Sequence, residues 1–190
     1  MERDSSEKPP SIRRLSKRKY STYRIHFEYE TRQYYDVLVH EETGRVSFDL
    51  ILKDFDQPQK RWFDDTLYQP YNPRAIAYGI FEQEQLVAAL EVKPEPWGNR
   101  LRIVNLWVAE DYRRNRYGSA LMQYAKALAK QAQCRALVLE TQSCDVPAIE
   151  FYQKHGFSFI GIDTTCYTDY DIQSQDVSLE MGCHIDASSV

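Results

Sequence analysis

The sequence predicts an α/β fold of the α+β type, in which helices flank a mixed sheet. From residue 75 onward, segments with strand or helix periodicity follow in the order β-β-β-α-β-α-β-β. Residues 117–133 are the clearest helix, because Leu121, Ala125 and Leu128 recur at helical spacing on one face. A sheet covered by this helix and a shorter one is the simplest architecture for that order.

The first part of the chain predicts a tail followed by strands. Residues 1–20 are basic, polar and almost free of aliphatic side chains, which is typical of a flexible tail. Residues 21–190 predict a single domain, since the chain is too short for two cores. Two strands with a hairpin turn at residues 42–44 come first, and a short helix is predicted around residues 59–67.

The second part predicts the remaining elements. Two strands joined by a tight turn at residues 82–85 are followed by a third strand and the long helix. Residues 134–142 predict a buried strand. Residues 146–156 predict a short helix, because Pro147 suits a first helical turn and Gly156 suits a C-terminal stop. Two more strands close the chain.

Composition excludes several function classes. A net charge of -4 argues against nucleic acid as the main partner. The four cysteines form no CxxC pair and predict reduced thiols in a cytoplasmic protein. Scattered histidines give a metal site little support. No apolar run has the length to span a membrane. The sequence leaves the formation of a homodimer open.

A strand, a basic loop and the long helix meet at residues 113–120. Backbone N–H groups in the first turn of a helix lack intrahelical partners, and the helix dipole adds positive charge there. With Arg113, Arg114 and Arg116 beside it, such a turn can bind a pyrophosphate, and Gly118 lets the backbone approach closely. The alternative is a solvated basic turn before an ordinary amphipathic helix.

This loop resembles motif A of the GNAT acetyltransferases, whose pattern is Q/R-x-x-G-x-G/A. Arg113 and Gly118 fill the first and last positions, and Arg116 stands where the first glycine is usual. The resemblance implies acetyl-CoA as co-substrate. The implied cofactor-binding residues of the loop are Arg113, Arg114, Asn115, Arg116, Tyr117, Gly118, Ser119 and Ala120.

A second segment, PAIEFYQKHGF, resembles the family signature A-x-x-F-Y-x-x-x-G-F. The resemblance implies that Tyr152 is the catalytic acid that protonates the departing thiolate. It also implies cofactor contacts from Ala148 and from Asp145, which stands where many members have Asn.

The resemblance covers residues 75–182 and implies the GNAT fold, a mostly antiparallel, twisted sheet splayed between its two central strands. The strand that ends at Trp107 and Val108 would bind the pantetheine arm, and the Val108 N–H would stabilise the thioester oxyanion. The carboxylate usual on that strand is missing, because residues 103–106 read IVNL.

Short signals around LVLETQ resemble the streptothricin acetyltransferases, which act in antibiotic resistance. They suggest a cationic small-molecule amine as acceptor. Glu140 and Glu91 are candidates to bind its ammonium group or to act as the base. The acidic, aromatic residues 54–71, with Trp62, are predicted to form a wall of the amine site by charge and cation–π contact, or else a plain surface loop.

Two other functions stay open on the sequence. One is acetylation of protein lysines or N-termini, because an acidic body also suits a basic peptide. The other is a catalytically silent acyl-CoA-binding regulator, for which the missing strand carboxylate is the evidence. Retention of Tyr152 counts against the regulator.

Overall fold

The structure of the protein, a computed structural model, describes residues 10–185. Its elements are, in chain order, β1 (Ile12–Arg14), α1 (Lys17–Tyr20), β2 (Arg24–Glu42), β3 (Arg45–Thr66), β4 (Ile76–Glu82), β5 (Gln85–Glu95), β6 (Arg100–Val108), α2 (Tyr117–Gln131), β7 (Ala136–Gln142), α3 (Val146–Lys154), β8 (Ser158–Asp163) and β9 (Ser178–His184). The α+β class and the predicted element order after residue 75 are confirmed.

The chain divides into two compact units. Within the described residues, the first comprises residues 10–26, Asp64–Arg135 and Ile185, and the second comprises Phe27–Phe63 and Ala136–His184. That residues 21–190 act as one domain stays a prediction.

The first unit is built on four antiparallel neighbours in the order β1-β4-β5-β6. β4 and β5 are joined by Gln83 and Glu84, whose φ angles of 46° and 66° are typical of a tight hairpin turn and confirm the turn predicted at residues 82–85. α2 contacts β5 and β6, and its buried face carries Leu121, Met122 and Ala125. The helical periodicity of the sequence therefore predicted the packing face correctly.

The second unit combines a ribbon and a small sheet. Most of β2 and β3 form a two-stranded ribbon, and Gly44 at its turn has a φ of 81°, as the predicted hairpin requires. β7 and β8 both pair antiparallel with β9. Leu137, Leu139 and Leu179 are fully buried in this unit, as the apolar runs of its strands predict.

Three sequence predictions need correction. Within the predicted tail, residues 12–14 form β1 against β4, and Leu15 and Tyr20 are buried, so ordered chain begins well before residue 21; residues 1–9 lie outside the described residues. Residues 59–66 extend β3 and do not form a helix. Pro58 is tolerated there because both strands of a two-stranded ribbon are edge strands. The strand predicted at residues 157–167 covers only Ser158–Asp163, after which turns begin.

Within residues 10–185, no helix combines the length and the apolar character needed to cross a membrane.

Candidate active site

The loop between β6 and α2 forms a candidate anion-binding site within the first unit. Arg114 and Arg116 have φ angles of 64° and 62°, so the chain turns sharply twice before the helix begins. Arg116 is the N-cap of α2 without a side-chain capping bond, and the first intrahelical bond runs from Ala120 N–H to the Arg116 carbonyl at 2.9 Å. The N–H groups of the first turn thus precede the hydrogen-bond ladder of the helix. An anion is stabilised at this end of a helix.

The backbone conformation of Arg116 accounts for the glycine that is usual at this position of the GNAT pattern. Its left-handed backbone is the conformation that favours glycine, which is the residue usual at this position. A residue with a Cβ adopts it at a cost of about 1–2 kcal/mol. In return the loop gains a guanidinium with five N–H donors, beside the exposed Arg113 and Arg114.

Two contacts hold the loop in place. The Arg113 Nε–H donates to the carbonyl of Val108 at 3.4 Å, and the Tyr117 hydroxyl donates to Glu82 Oε1 at 2.6 Å. The Tyr117 ring therefore fixes the start of α2 to the end of β4. Gly118, Ser119 and Ala120 follow in the same half-buried turn.

The end of β6 is anchored by an aromatic side chain. Trp107 is buried, and its indole N–H donates to the carbonyl of His26 at 2.8 Å. Val108 and Trp107 pair with Ala88 and Ala89 of β5. Trp107 thus contributes to the candidate site through its backbone, because its side chain is engaged in the fold.

Glu91 lies in the core of the first unit. It is fully buried, and its carboxylate accepts the Tyr68 backbone N–H at 2.7 Å and the Asn105 Nδ2–H at 2.9 Å. Burial raises its pKa, against the effect of these two hydrogen bonds. That Glu91 binds an ammonium group stays a prediction; in the structure both of its oxygens accept hydrogen bonds from donors in the core. Sequence reasoning did not predict that Asn105 would donate to Glu91, because this pairing depends on the register of β5 against β6.

Tyr152 lies on α3 in the second unit. Asp145 caps that helix by accepting the Ala148 N–H at 3.1 Å, and Pro147 occupies the first turn as the sequence predicts. Tyr152 is half-buried between Phe151 and Phe157, at ring-centroid distances of 5.7 and 6.0 Å. Burial, with a smaller effect of Asp145 and Glu140, raises the pKa of Tyr152 well above its usual range. The hydroxyl therefore keeps its proton at neutral pH and can serve as a proton donor.

Glu140 belongs to the same unit as Tyr152. It is exposed near the end of β7, and its carboxylate accepts a hydrogen bond from the Tyr167 hydroxyl. Burial, followed by the charge of Glu140, raises the pKa of Tyr167, so this phenol stays a donor. Glu140 is thus an oriented carboxylate at a surface, which suits an ammonium group.

The predicted amine wall at residues 54–71 is not one loop. Residues 54–66 continue β3 of the ribbon, and the segment divides between the two units at Asp64. Trp62 is 68% exposed on the ribbon. Asp54 accepts from Gln33 at 2.9 Å, and Asp64 lies 2.7 Å from His26 Nδ1, so these acids already have partners.

The described residues contain no group of three or more metal-ligating side chains that could hold a metal ion.

Comparisons with known proteins agree with this geometry. The sequence profile of the Acetyltransferase (GNAT) family matches residues 45–157, more than half of the chain. Streptothricin acetyltransferase A of Bacillus subtilis (strain 168) is 29% identical over 119 residues, which are 61% of this chain and 68% of that protein. A streptothricin acetyltransferase of Escherichia coli is 32% identical over 93 residues, 49% of this chain and 53% of that protein. The chain thus spans between about half and two thirds of these relatives.

The fold is likewise that of solved acetyltransferases. The crystal structure of a nourseothricin acetyltransferase superposes with a TM-score of 0.75 at 22% identity, over 94% of this chain and all of that chain. The predicted fold is therefore confirmed. The match to the family profile and the two relatives confirm the reaction class, acetyl-CoA-dependent N-acetyl transfer. The chain belongs to the GNAT acetyltransferase family.

Proposed function

We propose that the protein transfers the acetyl group of acetyl-CoA to a primary amine of a cationic small molecule of the streptothricin type. The observation that carries the proposal is the basic turn at residues 113–120, which opens α2 with the left-handed Arg116. The acceptor class rests on the two relatives described above, which are both streptothricin acetyltransferases.

Acetyl-CoA fits the residues present. Three exposed arginines and the first turn of α2 suit a pyrophosphate, because cations and helix N-termini both stabilise phosphate charge. We assign the pantetheine arm to the backbone of Trp107 and Val108, with further contacts from Asp145 and Ala148. The co-substrate supplies an acetyl thioester already activated for attack.

Tyr152 is proposed as the proton donor to the departing sulfur. Its raised pKa keeps the hydroxyl protonated, and a general acid of this kind contributes ~10²–10⁴-fold to a rate. We assign Glu140 to the acceptor, as the carboxylate that pairs with an ammonium group. Trp62 is proposed to line the acceptor's path as an exposed aromatic surface.

The test is direct. Purified protein is incubated with acetyl-CoA and either streptothricin or a lysine-containing peptide, while thiol release is followed. We expect streptothricin to be acetylated far faster, with resistance on expression in a sensitive bacterium. Faster turnover of the peptide would favour a protein acetyltransferase, and no turnover with any amine would favour a silent acyl-CoA-binding protein. Cytoplasmic location and homodimer formation are secondary proposals, tested by fractionation and by light scattering.

A further inference from the structure

A hydrogen bond within the second unit joins the loop after β8 to the proposed ammonium-binding residue. The Tyr167 hydroxyl donates to Glu140 Oε1. Tyr167 lies in the turns between β8 and β9 and is 41% exposed, and Glu140 is exposed near the end of β7. The contact therefore lies at a surface that a dissolved amine can reach.

The strand register shows what this donor does for Glu140. Glu180 on β9 is the direct partner of Glu140 on β7, so the two side chains lie on the same face of the sheet. Like charges directly opposite each other repel, and the repulsion favours a Glu140 carboxylate that turns away from Glu180. A hydroxyl donor on Oε1 opposes that movement. Because a carboxylate accepts several hydrogen bonds, Tyr167 orients the group and leaves its charge in place.

The backbone of the loop sets the position of Tyr167. Asp171 is 1% exposed, and its carboxylate accepts the backbone N–H groups of Tyr167 at 3.0 Å and of Thr168 at 2.7 Å. At the start of the loop, Asp163 accepts the backbone N–H of Thr165 at 3.0 Å. Hydrogen bonds from backbone N–H groups to a carboxylate are stronger than those between neutral groups. The phenol is therefore placed by the loop and not by Glu140 alone.

The Tyr167 phenol stays a donor at neutral pH. Burial, followed by the charge of Glu140 and the hydrogen bond to it, raises the pKa of Tyr167 well above its usual range. After burial and the charge of Asp145, the charge of Glu140 also raises the pKa of Tyr152. Glu140 is therefore close enough to the proposed proton donor for the two groups to interact within the second unit.

An amine attacks a thioester through its lone pair, so the reacting nitrogen is neutral. An ammonium group that pairs with Glu140 therefore belongs to a second, non-reacting amine of the acceptor. We propose that Tyr167 is a positioning residue that holds the Glu140 carboxylate in one orientation for this second ammonium group. The inference rests on the proposed function. With Glu140 already oriented, binding of the amine does not bear the entropic cost of ordering a flexible glutamate.

Tyr167→Phe removes the hydroxyl and keeps the ring. We expect KM for streptothricin to rise about 3–10-fold, or roughly 0.7–1.4 kcal/mol. Both kcat and the affinity for acetyl-CoA should stay within about twofold of wild type, because a contact to a non-reacting group acts equally in the ground state and the transition state. Steady-state kinetics and calorimetry measure these quantities. Tyr170→Phe, at a tyrosine of the same loop that is 68% exposed, is the matched control and should behave as wild type.

A double-mutant cycle separates positioning from a structural role of the loop. Glu140→Ala removes both the charge and the acceptor of the Tyr167 hydroxyl. In that background, adding Tyr167→Phe should change KM by less than about twofold, because Tyr167 acts only through Glu140. A weakened loop, or a direct contact between Tyr167 and the amine, would instead raise KM in both backgrounds. Thermal unfolding checks that each variant is folded.

The outcomes are distinguishable. If wild type acetylates no amine, the proposed function fails and the inference falls with it. If wild type is active and Glu140→Ala keeps KM for streptothricin within about twofold, Glu140 binds no ammonium group, and the positioning role is overturned while N-acetyl transfer stands.

The role of Tyr167 is also overturned if Tyr167→Phe keeps KM within about twofold of wild type, or raises it equally with and without Glu140. A Tyr167→Phe variant that does not fold would show that the hydroxyl stabilises the loop itself, which overturns the role as well. A rise in KM that requires Glu140 supports it.

Discussion

The indole N–H of Trp107 donates to the backbone carbonyl of His26 at 2.8 Å, which ties the end of β6 to the start of β2. The strand that we assign to the pantetheine arm is therefore held by a residue 81 positions earlier in the chain. A backbone carbonyl that loses its donor in a partly buried place costs about 1–3 kcal/mol.

Trp107→Phe should accordingly lower the free energy of unfolding by about 1–3 kcal/mol, because it removes the donor while keeping an aromatic ring. Urea denaturation measures the change. Trp97→Phe is the matched control, since Trp97 is 85% exposed and its replacement should cost under about 0.5 kcal/mol. Equal stability of the two variants would show that the indole bond contributes nothing.

Gly118→Val should weaken acetyl-CoA binding at least tenfold, about 1.4 kcal/mol, because a branched side chain would stand where phosphate oxygens approach the first turn of α2. Isothermal titration calorimetry measures the affinity, and circular dichroism checks that the fold is kept. Unchanged affinity in a folded variant would mean that the pyrophosphate binds elsewhere.

Tyr152→Phe should lower kcat by ~10²–10⁴-fold with little change in the KM for acetyl-CoA, because the ring stays and the acid is lost. The raised pKa sets the sign of the pH dependence: the phenol stays protonated beyond its ordinary pKa of about 10, so wild-type kcat should show no alkaline fall from this group below that pH. Tyr170→Phe, at an exposed tyrosine, is the control. A Tyr152→Phe variant within about twofold of wild type would remove this residue from the mechanism.

Glu95 links β5 to β6 through Arg100 and Arg102, with an Oε2 to Nη2 distance of 2.6 Å to Arg100. Burial opposes ionisation, but the hydrogen bonds and charges of Arg102 and Arg100 lower the pKa of Glu95 overall. Its stabilisation is therefore present above the unfolded pKa and lost as the pH falls through the folded one. Glu95→Gln should cost about 1–3 kcal/mol at pH 7, and its difference from wild type in urea denaturation should narrow below about pH 4. A difference independent of pH would contradict this.

The local part of the fold was predictable from the sequence and the non-local part was not. The turns at Gly44 and at Gln83–Glu84 and the face of α2 follow from residues close in sequence. The burial of Glu91 depends on the register of β5 against β6, which no local pattern specifies. Likewise, the sequence did not predict β1, because Ile12–Arg14, with its two arginines in a basic segment, becomes a strand only when β4 pairs with it.

Glu140→Gln tests the acceptor assignment. The Glu140 carboxylate accepts from Tyr167 and stays exposed, so it can pair with an ammonium group of a polycationic amine. We expect kcat/KM for streptothricin to fall by about tenfold or more, with acetyl-CoA affinity preserved, because glutamine keeps the shape and loses the charge. Raising the salt concentration should raise the wild-type KM for the amine, since exposed charges are screened over ~8 Å at physiological ionic strength. The variant should respond less to salt than wild type.

Glu150→Gln, at an exposed glutamate on α3, is the matched control and should behave as wild type. Equal kinetics of Glu140→Gln and Glu150→Gln would remove Glu140 from the amine site, while the GNAT assignment, which rests on residues 45–157, would stand.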